Sequence, residues 1–303
     1  MVATWSSLPM DAPRVLGIQS STVGLDNLLK PRPTADFTIL NPIADPIARP
    51  IRTGTQSAPS IIGQSAIVLD RVSRTPLYEK NTRARKFPAS TTKIVTSAIV
   101  IEEMNLYEVV TVPDDLFDRA AGSWMGLSPG DTLTRLDLLW GTLLNSGNDA
   151  AYVLAATNSG GFDDFIARMN RLVNQLNLTN THLDNSIGYD NDQHFTTAFD
   201  LAFLADHALQ LPLFQEIVAT RSRAVVVGSS PGREIILKNT HPLLGIIEGV
   251  KGIKTGSTEA ARGVLVTLVE RDGHEIIVVV MASEDRGGDT VKLIEWVYGN
   301  YEW

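Results

Sequence analysis

Phe87-Pro88-Ala89-Ser90-Thr91-Thr92-Lys93-Ile94-Val95-Thr96-Ser97-Ala98-Ile99-Val100-Ile101-Glu102-Glu103 is the stretch on which the fold turns. From about Ser90 to Glu103 it reads as a helix. Ile94, Val95, Ala98, Ile99 and Ile101 cover much of the circumference, so the helix belongs in the centre of a domain rather than on its surface. Ser90 and Lys93 stand three residues apart at its start and share a face.

Outward from this helix the pattern changes twice. On the N-terminal side, Ser65 to Asp70 reads as a strand, Arg71 to Arg74 as a turn, and Thr75 to Glu79 as the returning partner. On the C-terminal side, about 105 to 215 is mostly helical. Leu136, Leu139, Trp140 and Leu143 follow helical spacing, as do Phe162, Phe165, Ile166, Met169 and Leu172, then Leu201, Leu204 and Ala208. Beyond 220 the pattern is β. Ala224 to Val227 and Glu234 to Leu237 flank a Gly/Ser/Pro turn. Val264 to Glu270 and Glu275 to Met281 flank Arg271-Asp272-Gly273-His274, a hairpin signal. Both of these last strands are apolar on both faces, so helices should cover both sides of their sheet. A final helix follows, read as capped by Asp289, with Val291, Ile294, Val297 and Tyr298 inward.

Strands, then helices, then strands imply an α/β (α+β) fold. One antiparallel sheet is built from both ends of the chain and covered by helices, with an all-helical subdomain inserted between. The compact domain spans about 56–303. Residues 1 to about 55 differ: eight of the 15 prolines fall between Pro9 and Pro59. This segment reads as an extended linker, or as a strap across the domain surface.

Composition narrows the function. The 303 residues carry a formal charge of −8 and no dense basic cluster, so nucleic acid is not an expected partner. With no cysteine there are no disulfides or thiolate metal sites. The longest apolar run, Ile276 to Ala282, is far short of the ~20 residues of a membrane span. The first residues lack the basic flank and apolar core of a secretory signal.

Three short motifs occur in order: Ser90-Thr91-Thr92-Lys93 at the helix start, Ser146-Gly147-Asn148 in a break between helices, and Lys254-Thr255-Gly256 entering the sheet. Composition alone supplies each of the first two in about half of such chains, and Lys-Thr-Gly in on the order of one in twenty. Their order and structural contexts make the set specific. Serine is a poor nucleophile until a base takes its proton. Lys93 serves as that base if burial and a second cation, Lys254, lower its pKa. Ser146 can relay the proton to a leaving amine. Asn148 can hold Lys93 and a substrate amide. The backbone N–H groups of Ser90 and Ser257 can donate to an oxyanion, one such donor being worth ~3 kcal/mol of barrier. No cofactor and no metal are implied, since the chain supplies nucleophile, base and donors. His182 and His194 are not in metal-ligand spacing and read as structural hydrogen-bonding residues.

The chain resembles the low-molecular-mass D-alanyl-D-alanine carboxypeptidases of the β-lactamase/transpeptidase-like fold, over about residues 60 to 300. The resemblance rests on Phe87 to Lys93, Met125-Gly126-Leu127 with Gly130-Asp131, and Ser146 to Ala151. It extends through Thr181-His182 with Gly188, His194 to Ala202, Asn239 to Leu244 and Gly252 to Gly256. It implies a serine peptidase acting on peptidoglycan stem peptides, with β-lactams as covalent inhibitors, in an extracytoplasmic setting. It also implies that Arg286, in the loop before the last helix, joins Lys254 and Thr255 in holding the substrate's terminal carboxylate; otherwise it is a solvated loop arginine. Ser257 stands where relatives often carry a larger or aromatic side chain. The β-rich second domain and membrane tail of many relatives have no counterpart, so any membrane anchor is expected ahead of residue 1.

Other functions remain to be weighed. A class A β-lactamase needs a Glu-x-x-Leu-Asn loop between the second and third motifs. Glu216, Glu234 and Glu248 lie there, and none is followed by Leu-Asn. A D,D-endopeptidase would use the same machinery. A non-catalytic wall-binding module would have no need of an activated serine.

Overall fold

A strand with apolar residues on both faces is stable only between two layers. The computed structural model, which describes residues 49–228 and 232–303, supplies both. Strands β1 (Ile51–Arg52), β2 (Ser65–Asp70) and β3 (Pro76–Lys80) come first. A 3₁₀ turn, Ala89–Thr92, then leads into α1 (Lys93–Glu103). Next come β4 (Val109–Thr111), α2 (Leu116–Arg119), β5 (Thr132–Thr134), α3 (Arg135–Leu143), α4 (Asn148–Ala156), α5 (Gly161–Gln175), α6 (Ala198–Ala208) and α7 (Pro212–Ala219). Finally β6 (Ser222–Val227), β7 (Arg233–Lys238), β8 (Val250–Thr258), β9 (Arg262–Arg271), β10 (His274–Ser283), α8 (Arg286–Tyr298) and β11 (Tyr301–Glu302) complete the order.

The main sheet has the order β3-β2-β10-β9-β8, with every neighbour antiparallel. Two strands come from the start of the chain and three from its end, as the sequence pattern implies. One face, carrying Ile67, Leu69, Val266, Ile277 and Val279, meets the helical layer. The other, carrying Ala66, Val68, Leu265, Val278 and Val280, meets Leu293, Ile294 and Val297 of α8. Helix α1 packs against α3, α4, α5, α6 and α7, and is the central element its apolar circumference predicts. Asp272 (φ 51°) and Gly273 (φ 80°) make the β9–β10 turn with two positive φ values, as Asp-Gly permits.

Several details differ from the sequence reading. The inserted subdomain holds α2 to α7 and also the short β4–β5 pair, whose Val109-Val110 and Thr132-Leu133-Thr134 are mostly β-branched. The β6–β7 hairpin stands apart from the main sheet. The first pairing, β1 with β11, falls at residues 51–52, ahead of the compositional boundary near 55. The rest of the proline-rich reading falls on residues 1–48, outside the described residues. Among the described residues, no helix is long and apolar enough to cross a membrane.

The last helix corrects a cap assignment. Asp285, not Asp289, is the N-cap: its Oδ1 accepts the Gly288 N–H at 2.9 Å. Helix α8 therefore starts at Arg286, and Asp289 is free to turn inward. Its buried carboxylate accepts the backbone N–H groups of Ile62 (2.9 Å) and Gly63 (2.7 Å) and the Ser283 hydroxyl (2.7 Å). One side chain thus ties the entry to β2 to the end of β10. Asp289→Ala strands two backbone donors, and its expected cost is about 3 kcal/mol, from the penalty for unsatisfied buried groups. Urea unfolding checks it: the midpoint should fall with the slope unchanged.

Candidate active site

The nucleophile segment is held in an unusual backbone conformation. Ala89 has φ 49°, a left-handed value that non-glycine residues rarely adopt. Its carbonyl accepts the Thr92 hydroxyl at 2.9 Å, and Thr92 Oγ1 meets His194 Nε2 at 2.8 Å. His194 Nδ1 lies 3.0 Å from both the backbone nitrogen and the Oδ1 of Asp184. Burial pushes the His194 pKa down to about 4, keeping the ring neutral at physiological pH. His194 is therefore the structural residue the sequence predicts, and His182 likewise bonds the Gln193 carbonyl through Nδ1.

Two glycines let other elements press against this turn. A Cβ on Gly256 would lie 2.7 Å from Ser90 N, and one on Gly188 would lie 1.9 Å from the Ala89 oxygen. Gly188 also has φ 103°. Glycine is required at both positions by close backbone approach. Strand β8 thus passes directly beside Ser90 at Gly256, the residue before Ser257. Because β8 is the edge of the sheet, its outer backbone groups are left unpaired by any strand.

Lys93 is fully buried, and its Nζ lies 2.9 Å from Ser90 Oγ, 2.7 Å from Asn148 Oδ1 and 2.9 Å from the Ile187 oxygen. The last two atoms only accept. A neutral amine keeps its two N–H groups on them and directs its lone pair at the Ser90 hydroxyl. Burial lowers the Lys93 pKa well below its ordinary value, the Lys254 charge lowers it further, and Asp149 opposes both. Lys254 is itself buried and donates to the Thr255 oxygen at 3.0 Å. Burial, then the Arg286 charge, bring its pKa down to about 7.

Arg286 is half-buried at the first turn of α8, against the space that the missing side chain of Gly263 leaves. Among the described residues its Nε is buried without a hydrogen-bond partner, and its charge lies close enough to Lys254 to lower the Lys254 pKa. Thr255 lies in β8 beside Lys254, its hydroxyl directed at the Val264 oxygen at 3.4 Å. Ser146, with φ 58°, occupies the break between α3 and α4. Among the described residues its hydroxyl makes no hydrogen bond to Ser90, Lys93 or Lys254, so the relay assigned to it needs a substrate between them. The amide nitrogen of Asn148 donates to the Ala121 oxygen, and its second N–H remains for a substrate.

Sequence reasoning missed part of the support. Asp149 accepts the N–H groups of Met125 (2.8 Å), Gly126 (2.9 Å) and Leu127 (3.0 Å), fixing the wall beside Asn148. Asn185 Oδ1 accepts from Ile187, Gly188 and Tyr189, shaping the loop whose carbonyl holds Lys93. An Asn three residues before a Gly is the only local signal for that turn.

Ser-x-x-Lys, Ser-x-Asn and Lys-Thr-Gly converging between an edge strand and a helical subdomain define a serine peptidase of the penicillin-binding type. The model of the D-alanyl-D-alanine carboxypeptidase family, peptidase family S11, matches residues 52–285, and the chain belongs to that family. It is 29% identical over 247 residues to the D-alanyl-D-alanine carboxypeptidase DacF of Bacillus subtilis, covering 79% of this chain and 63% of that protein. It is 31% identical over 255 residues to the D-alanyl-D-alanine carboxypeptidase of Streptomyces strain K15, covering 78% of this chain and 88% of that one. The crystal structure of the Streptomyces K15 DD-transpeptidase superposes with a TM-score of 0.77 at 31% identity, over 80% of this chain and all of that one.

A pH profile tests the coupling of Lys93, Lys254 and Arg286. Activity should rise with pH as Lys93 loses its proton. It should fall again as Lys254, with a pKa of about 7, loses the charge that binds a carboxylate. The kcat/KM profile of the free enzyme is therefore a bell. Arg286→Gln removes a charge that lowers the Lys254 pKa, so the descending limb should move to higher pH while KM rises. A limb that stays in place would separate Arg286 from Lys254.

Proposed function

We propose that the chain is a serine D,D-carboxypeptidase that removes the terminal D-alanine of peptidoglycan stem pentapeptides. The observation that carries this reading is the fully buried Lys93 Nζ, 2.9 Å from Ser90 Oγ, with Arg286 close enough to Lys254 to lower its pKa. Ser90 Oγ gives its proton to neutral Lys93 and attacks the D-alanyl carbonyl carbon. The oxyanion is met by the N–H groups of Ser90 and Ser257. The C–N bond breaks, and the D-alanine amine takes the proton by way of Ser146. Water then hydrolyses the Ser90 ester, with Lys93 again accepting a proton. Lys254, Thr255 and Arg286 hold the terminal carboxylate, and Asn148 holds the acyl amide. Such a substrate places the enzyme outside the cytoplasm, at the wall.

The same site should be acylated by penicillin, whose strained amide resembles the D-alanyl-D-alanine bond. There the leaving amine stays tethered and obstructs water. Among the described residues no carboxylate hydrogen-bonds Ser90 or Lys93 to help hydrolysis. The penicilloyl ester should persist for minutes while the peptidyl ester turns over. Intact-mass spectrometry with penicillin, beside alanine release from a purified pentapeptide muropeptide, reads both outcomes. Both should vanish in Ser90→Ala. Rapid penicillin turnover would mean a β-lactamase. Crosslinked dimers cleaved faster than pentapeptides would mean an endopeptidase.

A further inference from the structure

A cleft of about 570 Å³ opens beside the catalytic residues, between α4, the start of α5 and the loop through Ile187 and Tyr189. Its size suits a small-molecule ligand. Three aromatic rings line it: Tyr152, Phe162 and Tyr189. The first two have centroids 5.9 Å apart, inclined at 41°. Polar groups stand at the same wall. Asp115 accepts the Tyr152 hydroxyl at 2.8 and 2.9 Å and lies 3.6 Å from Arg119. With Asp163 also present, the charged side chains in the lining are two carboxylates and one guanidinium.

We infer that this cleft takes the N-acetylated amino sugar to which the stem peptide is joined. The inference rests on the carboxypeptidase reading and extends it to the far end of the substrate. The chemistry of the wall favours a sugar over the peptide itself. A pyranose packs its C–H face on aromatic rings and offers hydroxyls to carboxylates and guanidinium. The stem peptide carries carboxylates of its own, and a lining with an excess of acid repels them.

Position agrees. Ile187 belongs to the cleft wall, and its carbonyl lies 2.9 Å from Lys93 Nζ, itself 2.9 Å from Ser90 Oγ. Ile187 thus links the cleft wall to Ser90 through two hydrogen bonds. The three residues between the acylated D-alanine and the sugar span ~10 Å when extended. The sugar therefore arrives within reach of the cleft when the scissile bond is at Ser90.

The wall also connects to the catalytic amide. The Tyr189 hydroxyl donates to the Ala121 oxygen at 2.9 Å, and that same oxygen accepts the Asn148 amide. A sugar packed on Tyr189 would fix the ring that shares an acceptor with Asn148, so its binding should appear in kcat as well as in KM.

The test compares two substrates of one peptide sequence: the disaccharide pentapeptide and the sugar-free pentapeptide. D-alanine release is measured for the full chain and for two variants. Phe162→Ala removes an aromatic face. Gly161→Asn adds bulk at a cleft residue with φ 74°, where Asn is tolerated and a Cβ meets nothing within 4 Å. The readout is the ratio of the two kcat/KM values within each protein, so a change in folded fraction cancels. The expected ratio is about ten in the parent, or ~1.4 kcal/mol, and near one in both variants. A parent ratio near one overturns the inference, as does a high ratio that both variants retain. Release from neither substrate by the folded parent overturns the carboxypeptidase reading on which it rests.

Discussion

The site depends on one constraint: a lysine amine with no access to water. Lys93 is reached by three separate parts of the chain. Ser90 comes from its own helical turn, Asn148 from the start of α4, and the Ile187 carbonyl from a loop between α5 and α6. An ammonium in this place is costly, because desolvation opposes its charge and Lys254 repels it. A neutral amine has two N–H groups and one lone pair. Two of its three neighbours are carbonyl oxygens, which accept and cannot donate, so the lone pair is left for the one hydroxyl. Burial thus favours the neutral amine, and the two carbonyls orient its lone pair toward the Ser90 hydroxyl.

The supporting framework is what this arrangement demands. Lys93, Lys254 and Arg286 form a row of basic groups from the central helix to the sheet edge and the last helix: the Lys254 charge lowers the Lys93 pKa, and the Arg286 charge lowers that of Lys254. Such a row is stable only where rigid elements hold it. Asp289 ties the entry to β2 to the end of β10, and Asp285 starts α8 early enough to place Arg286 at its first turn. Asp149 fixes three successive backbone N–H groups next to Asn148. Positive φ at Ala89 and Ser146 places strain at both motif serines' segments, where the surrounding packing over-determines it.

Much of this was legible in the sequence, for specific reasons. A sheet built from both ends of the chain and covered on both sides was readable because β9 and β10 are apolar on both faces, and the β9–β10 register because Asp272-Gly273 permits only a tight turn. The triad of motifs was readable because an i, i+3 pair on a buried helix has one geometric meaning. What failed was local. Asp289 looks like a helix cap from spacing, yet Asp285 competes for the same role and takes it, since only the fold reveals the Ile62 and Gly63 N–H groups waiting for Asp289. The β4–β5 pair went unread because three-residue strands are too short for periodicity. The Ile187 carbonyl was invisible in principle: a backbone acceptor carries no residue-type signal, and only the loop geometry set by Asn185 exposes it.

The same limit applies to the cleft beside Ile187. Tyr152, Phe162 and Tyr189 come from a helix interior, a helix start and a loop, and nothing in their spacing joins them. Phe162 reads as an ordinary core position on a helical face. The convergence of the three rings becomes meaningful only because the wall they line is shared with the loop that holds Lys93. A substrate group resting there is linked to the reacting serine through Ile187, Lys93 and Ser90, and to the amide-binding side chain through Tyr189, Ala121 and Asn148. Both links run through backbone carbonyls of one rigid loop and its neighbour. The loop whose Ile187 carbonyl accepts from Lys93 is therefore also the part of the molecule that joins the cleft wall to the Ser90–Lys93 pair.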